Sequence, residues 1–393
     1  MDYIILLRQS QTVRVLTAVQ VVAYFGSWFS HVAILTLLAN LGASPFLIAI
    51  AVSLMFLPAL IQGPFTGALV DRLEPKKLMN TLLLIEAACT IGFVFINESG
   101  YIWLLLALVY IKMSAASFYF TSEMSLMPKL LDARELKLAN EIHSIVWSVS
   151  FTVGMALSGL AVEFLGINAA FLIDASLFIV AVFIFSMLNI NVQKPTIIHS
   201  FLDSFKAGIR YVFVDNRKLL PIMALHATVG FTIFDAIITV LAQNNYSKQV
   251  SIPLAIGFIS AIRSLALMIG PFLFSKFVNR STLFYMLLGQ GAAIALWGAL
   301  SGSFWLSLIG SFFCGLFTTT LWSYTMTMLQ ESIGHEYYGR VVSINDMFFT
   351  ATTVTTSFAI GALMDVGMFA GDVLFVLSAM FFIAAILYRI NRS

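Results

Sequence analysis

Gly63-Pro64-Phe65-Thr66-Gly67-Ala68-Leu69-Val70-Asp71-Arg72-Leu73-Glu74-Pro75-Lys76-Lys77 closes one apolar run and opens the next. Residues 45–70 contain no charged side chain, and the chain is apolar again from Leu78. The five charges between Asp71 and Lys77 are confined to a turn. The same triplet returns as Gly270-Pro271-Phe272, again shortly before a basic stretch that holds Lys276 and Arg280. Two long apolar helices joined by a short charged loop, used twice, is the pattern from which the rest follows.

Working outward, the chain divides into twelve apolar runs. A helix needs about 20 such residues to cross the roughly 30 Å of hydrocarbon in a bilayer. The runs fall at 12–38, 45–70, 78–96, 101–127, 137–164, 168–190, 219–243, 252–277, 282–300, 304–330, 340–366 and 371–388. They are continuous rather than alternating, so helices are expected and not barrel strands. Composition agrees: 60% of the 393 residues are hydrophobic and 10% are charged, where a soluble domain carries about 25% charged residues. A soluble enzyme is excluded, and a net charge of +2 offers no basic surface for nucleic acid. Cys89 and Cys314 lie far apart in apolar runs with no metal-ligand spacing.

Short cytoplasmic loops collect Lys and Arg. With both termini inside, 18 of the 21 cations fall on the cytoplasmic side, Lys248 falls outside, and Lys112 and Arg263 remain within spans. The expected location is therefore the cytoplasmic (inner) membrane, multi-pass, with both ends in the cytoplasm. Residues 191–218 form the one substantial polar segment. They separate an N-terminal bundle, 1–190, from a C-terminal bundle, 219–393, with Phe201, Phe205, Ile209, Val212 and Phe213 on one face of an amphipathic linker helix. Asn140-Glu141 matches Asn345-Asp346, and aligning Gly26 with Gly230 sets His31 opposite Asp235. Duplicated six-helix halves describe a transporter that alternates access to a central site.

The segment from Gly67 to Lys77 resembles the Gly-x-Leu-x-Asp-Arg-x-Gly-Arg-Lys signature of the major facilitator superfamily, with Glu74-Pro75 where a glycine is usual. Leu126-Met127-Pro128, Leu138-Ala139-Asn140, the stretch from Phe201 to Tyr211, and Gly339-Arg340-Val341-Val342-Ser343 are similar to its macrolide-efflux and siderophore-exporter branch. The chain departs from that branch at Gly26-Ser27, where Gly-Asp is common, and at Gly154-Met155, where antiporters often have Gly-Pro. The resemblance implies an all-α membrane protein of twelve transmembrane helices in two pseudo-symmetric bundles, in which spans one, four, seven and eight line the cavity. It implies secondary-active efflux, proton antiport included, and gating by Gly67, Asp71 and Arg72, with Arg340 as the partner of Asp71.

Ionisable residues inside a span are functional candidates because their insertion costs roughly 2.5–3.5 kcal/mol each. Lys112 and Arg263 fall near the middle of spans four and eight, and Asp235 is expected to neutralise one or both. Gln20, Tyr24, Ser27 and His31 share one face of span one, and Lys112, Tyr119 and Glu123 share one of span four. Thr228, Thr232, Asp235 and Thr239 share one face of span seven. Asp235 reads as the proton carrier, with His31 assisting, and Tyr24, Trp28 and Tyr119 read as substrate contacts. Glu123, towards the cytoplasmic end, reads as a substrate or coupling residue or else as a boundary charge, while Glu86, Asp174 and His226 lie outside the stripes and read as structural.

No phosphate loop, nucleophile motif or metal cluster is present, so no cofactor and no enzyme activity are expected. Expected partners are protons, the lipid bilayer and a small amphiphilic substrate, anionic or zwitterionic if two midspan cations bind it. The protein is expected to act as a monomer. The other reading of the same fold is a lipid or lysolipid flippase, or an uncoupled facilitator.

Overall fold

A computed structural model describes residues 2–70, 73–188, 190, 201–334 and 337–390. The described residues are helical, with no strand among them. In chain order the helices are α1 (Asp2–Gln9), α2 (Gln11–Asn40), α3 (Pro45–Val70), α4 (Pro75–Phe93), α5 (Ile102–Leu130), α6 (Ala133–Leu165) and α7 (Ile167–Ser186). After the linker come α8 (Phe201–Arg210), α9 (Leu219–Ala227), α10 (Asp235–Leu241), α11 (Ile252–Phe274), α12 (Leu283–Leu300), α13 (Phe304–Glu331), α14 (Tyr338–Asp365) and α15 (Ala370–Ile390).

Local chemistry sets several boundaries. Pro75 starts α4, where its missing N–H costs nothing. Asp132 and Glu135 form a reciprocal cap at the start of α6. Gly166, at φ 88°, turns the chain from α6 into α7. Eleven helical segments are long and apolar enough to cross a membrane. The remaining expected span, α4, is helical over 19 residues but carries Lys76, Lys77 and Glu86.

The chain forms two compact units. Unit 1 holds residues 1–42 and 61–198, and unit 2 holds 43–60 and 199–393. In unit 1, α2 packs on α6 and α7, and α4 packs on α5 and α7. Its core joins Leu16, Val19, Leu83, Phe178 and Phe185. In unit 2, α11 packs on α13, and α12 on α13 and α15. The first part of α3 lies against α14: Ser53 donates to the Val354 carbonyl and Ser357 to the Ala49 carbonyl.

The described part of the linker packs within unit 2: α8 packs on α14, Tyr211 stacks on Tyr337 at 4.1 Å, and Val212 belongs to a core with Leu219 and Met326. Residues 191–200 of that linker lie outside the described residues. Span seven is not a continuous helix. It runs as α9, a 3-10 turn over Thr228–Thr232, an extended Ile233 and then α10. Gly230 and two β-branched threonines weaken the helix here, and Thr232 turns its hydroxyl back on the Val229 carbonyl. Gly230 also lets the chain approach α14, where a Cβ would lie 2.9 Å from the Thr353 nitrogen.

Candidate functional site

In unit 1 the polar face of α2 meets that of α5, as the two stripes suggest. Gln20 Nε2 and Tyr24 Oη each donate to Glu123, one to each carboxylate oxygen, both at 3.1 Å. Glu123 is fully buried, so it is a built acceptor site rather than a boundary charge. Tyr119 lies one turn earlier on α5 and is buried with no partner for its hydroxyl among the described residues. Two sets of aromatic contacts lie on the same helices. His143 stands edge-on to Tyr24 at 5.6 Å and tilted to Phe120 at 5.9 Å. Trp28 stacks on Phe151 at 4.3 Å and meets Trp147 and His31 edge-on. Phe120 and Trp147 remain exposed, while the Trp28 indole N–H is buried without an acceptor. The sequence reading names Tyr24, Trp28 and His31 but misses His143 and Trp147 on α6, where Asn140, Ser144, Ser148 and Thr152 recur at helical spacing.

Lys112 is buried in the same unit, and its partner is not Asp235. Its Nζ lies 2.6 Å from Asp174 Oδ2 on α7 and 5.0 Å from the centre of the Phe178 ring. Ser30 of α2 donates to the same oxygen. The reason is proximity within one bundle: α2 and α4 both pack on α7, which brings Ser30 and Glu86 towards Asp174. Asp174 Oδ1 has no donor among the described residues and lies against Gly26, where a Cβ would come within 2.6 Å. A buried lysine needs a counter-ion, and that signal alone would have promoted Asp174 from the structural residues.

In unit 2 the broken span carries two expected site residues. Asp235 opens α10, half-buried. Arg263 of α11 donates from Nη2 to the Thr232 carbonyl at 2.7 Å, and its guanidinium lies 5.0 Å from the centre of the Phe234 ring. Thr232 ends the 3-10 turn, so its carbonyl is among those the break releases. The face proposed for Thr228, Thr232, Asp235 and Thr239 is lost, because the period of a continuous helix no longer applies across 228–234. Nearby, the buried His226 pairs Nδ1 with Thr325 at 2.9 Å between the rings of Trp322 and Phe349.

Of the expected gate, Asp71 and Arg72 lie outside the described residues, and Gly67 lies in the last turns of α3. Arg340 is at the start of α14. Its guanidinium lies over the Tyr337 ring at 5.3 Å, and a Cβ at Gly208 of α8 would be 3.0 Å from its own Cβ. Among the described residues no group of His, Cys, Asp and Glu could hold a metal ion.

The geometry has parallels among known proteins. An uncharacterised MFS-type transporter, YfiS, of Bacillus subtilis is 26% identical over 224 residues, 56% of this chain and 52% of that protein. Macrolide efflux protein A of Streptococcus pyogenes is 22% identical over 358 residues, 88% of this chain and 86% of that one. The chain spans about half the length of YfiS and of the putative bacilysin exporter BacE of Bacillus subtilis. In fold it matches the crystal structure of the nucleoside transporter NupG, with TM-score 0.76 at 14% identity over 96% of this chain and 97% of that one. A D-xylose-proton symporter gives TM-score 0.76 at 11% identity over the same shares. The family model described as Major Facilitator Superfamily matches residues 16–291. That match covers well over half of this multi-pass helical chain, which belongs to the major facilitator superfamily.

Proposed function

We propose that this chain is a proton-driven exporter of small amphiphilic molecules that carry a basic amine, working by alternating access as a monomer in the cytoplasmic membrane. The observation that carries the reading is Glu123. Its carboxylate is held by Gln20 and by Tyr24, whose ring meets His143 and through it Phe120, and Trp28 and Trp147 pair on the same two helices, α2 and α6. Aromatic faces attract a cation by about 0.5–2 kcal/mol, more when water is excluded, and an arriving amine favours the ionised form of Glu123, whose charge then adds to that field. Lys112, buried against Asp174, offers no free charge to an anion, which turns the expected substrate from anions towards amines. The names of the macrolide efflux and bacilysin exporter relatives support the outward direction. The interrupted seventh span, with Asp235 and Arg263 beside the break, supports a second set of contacts in unit 2, since transporters build sites where a spanning helix is unwound. Gly67, Asp71, Arg72 and Arg340 are proposed to gate the cytoplasmic side.

The test is transport into inverted vesicles of erythromycin, whose amino sugar is cationic, beside erythronolide B, which lacks it. Glu123→Gln should weaken erythromycin transport about tenfold, the loss of one charge contact, and leave the aglycone unaffected. Equal losses for both compounds, or none, would remove the amine reading. Movement of a fluorescent lysophospholipid that ignores a pH gradient would replace export by the flippase reading.

A further inference from the structure

Glu86 is the buried acid that the substrate site does not use. It is 3% exposed on α4, and its carboxyl takes no part in the ion pair that holds Lys112 and Asp174 together. Its helix packs on both α5 and α7, the two helices that the Lys112–Asp174 pair joins, and the charges of that pair act on it. Its charge also acts on Tyr119, which shares α5 with Lys112, and on Tyr24, which holds Glu123. Cys89, one turn along α4, is the other titratable group near it. The cluster thus contains two acids and one amine. Asp174 is the ionised acid: its Oδ2 receives both the Lys112 ammonium and the Ser30 hydroxyl. Its remaining oxygen, fully buried, has no donor and is pressed on Gly26. With Lys112 and Asp174 cancelling, a second ionised carboxylate would stand uncompensated in the bundle, whereas a protonated one leaves the cluster neutral.

We propose that Glu86 is the group at which this transporter takes up and releases its proton, with the Lys112–Asp174 ion pair as fixed counter-charge. On release, the O–H bond of the Glu86 carboxyl breaks, its electron pair stays on the carboxylate and the proton passes to water. The new negative charge then acts on both neighbours: on the ammonium that joins α5 to α7, and on the tyrosine that orients Glu123. Proton occupancy and substrate affinity are coupled through Tyr24, and by linkage each alters the other by the same factor. The inference gives the proton-driven reading its residue and rests on it for its consequence in transport, but not for the protonation itself.

Two measurements on the full chain separate these. Infrared difference spectra of the purified protein, taken between acidic and alkaline buffer, should contain a carboxylic C=O band that disappears in Glu86→Gln and survives in Glu123→Gln. In proteoliposomes, Glu86→Gln should retain erythromycin counterflow within about twofold while gradient-driven accumulation falls about tenfold, the signature of lost coupling with binding retained. Glu86→Asp, which keeps a titratable group one methylene shorter, should restore part of the accumulation. A band that persists in Glu86→Gln, or accumulation unchanged by it, overturns the assignment. If wild type ignores a pH gradient, the proton-driven reading fails on its own. The infrared band then still decides whether Glu86 holds a titrating proton.

Discussion

Arg263 on α11 donates a 2.7 Å hydrogen bond to the carbonyl oxygen of Thr232, the last residue of the turn that interrupts the seventh span. The bond joins two elements of unit 2 at the point where one of them has surrendered its own helical hydrogen bonds. The same guanidinium covers the Phe234 ring. A planar fork can stack on the ring while it donates, whereas the compact ammonium of a shorter lysine meets both partners less well.

Arg263→Ala should therefore destabilise the protein by about 1–3 kcal/mol, the cost of leaving a buried acceptor unpaired. Arg263→Lys should recover only part of it, because the ring contact is weakened. Thermal unfolding in detergent micelles reads the order, wild type above lysine above alanine. A lysine variant as stable as wild type would show that the Phe234 contact contributes nothing.

Gly26 and Asp174 give a second, steric test. A methyl group at residue 26 would lie 2.6 Å from Asp174 Oδ1 and 3.3 Å from Leu177 Cβ. The carboxylate cannot retreat without loosening Lys112, so Gly26→Ala should cost about 1–3 kcal/mol, the range for overpacking a filled core. Gly100→Ala, at a position with open space around it, should stay within about 0.5 kcal/mol. Chemical unfolding of both variants compares them.

Gly26 also shows what a single sequence reveals and what it hides. The apolar runs, the duplicated Gly-Pro-Phe and the charge bias are periodic or compositional, and they describe a two-bundle helical transporter before any coordinate is known. The stripes on spans one and four are likewise legible, because a continuous helix converts spacing into faces; that is how Tyr24, Gln20 and Glu123 are found together. The pairing of Lys112 is not legible. Spacing places it on a face but does not say which of two acids, Asp174 or Asp235, another helix brings to it. The break in span seven is hidden for a related reason. Thr228-Val229-Gly230-Phe231-Thr232 is only weakly unfavourable to a helix, and the contacts of Gly230 with α14 and of Arg263 with Thr232 decide the matter.

The Lys112–Asp174 pair predicts a non-additive response. Removing either partner strands the other charge in the bundle and should cost about 3–5 kcal/mol, whereas replacing both by apolar groups of similar size leaves no stranded charge. Lys112→Met and Asp174→Leu should each lower the unfolding temperature sharply, and the double variant should recover much of the loss. A double-mutant cycle measures this directly. Strictly additive losses would mean that the two groups do not act as a pair.

The repeated triplet offers the sharpest contrast, since identical sequence makes opposite demands in the two halves. At Gly270 a Cβ would come within 1.9 Å of the Leu316 carbonyl oxygen and 2.8 Å of its carbon, both backbone atoms of α13. Backbone cannot rotate away as a side chain can, so α11 would have to move off α13 along the main packing contact of unit 2. At Gly63 nothing lies within 4 Å of the same added atom. Gly270→Ala should thus yield little folded protein, with a loss beyond about 3 kcal/mol for displacing packed backbone. Gly63→Ala should fold as wild type does and, by removing a flexible residue from a helix, gain up to about 1 kcal/mol. Fluorescence size-exclusion of the two variants after detergent extraction distinguishes them. Equal yields would mean that the close approach of α11 to Leu316 is not a constraint on this fold.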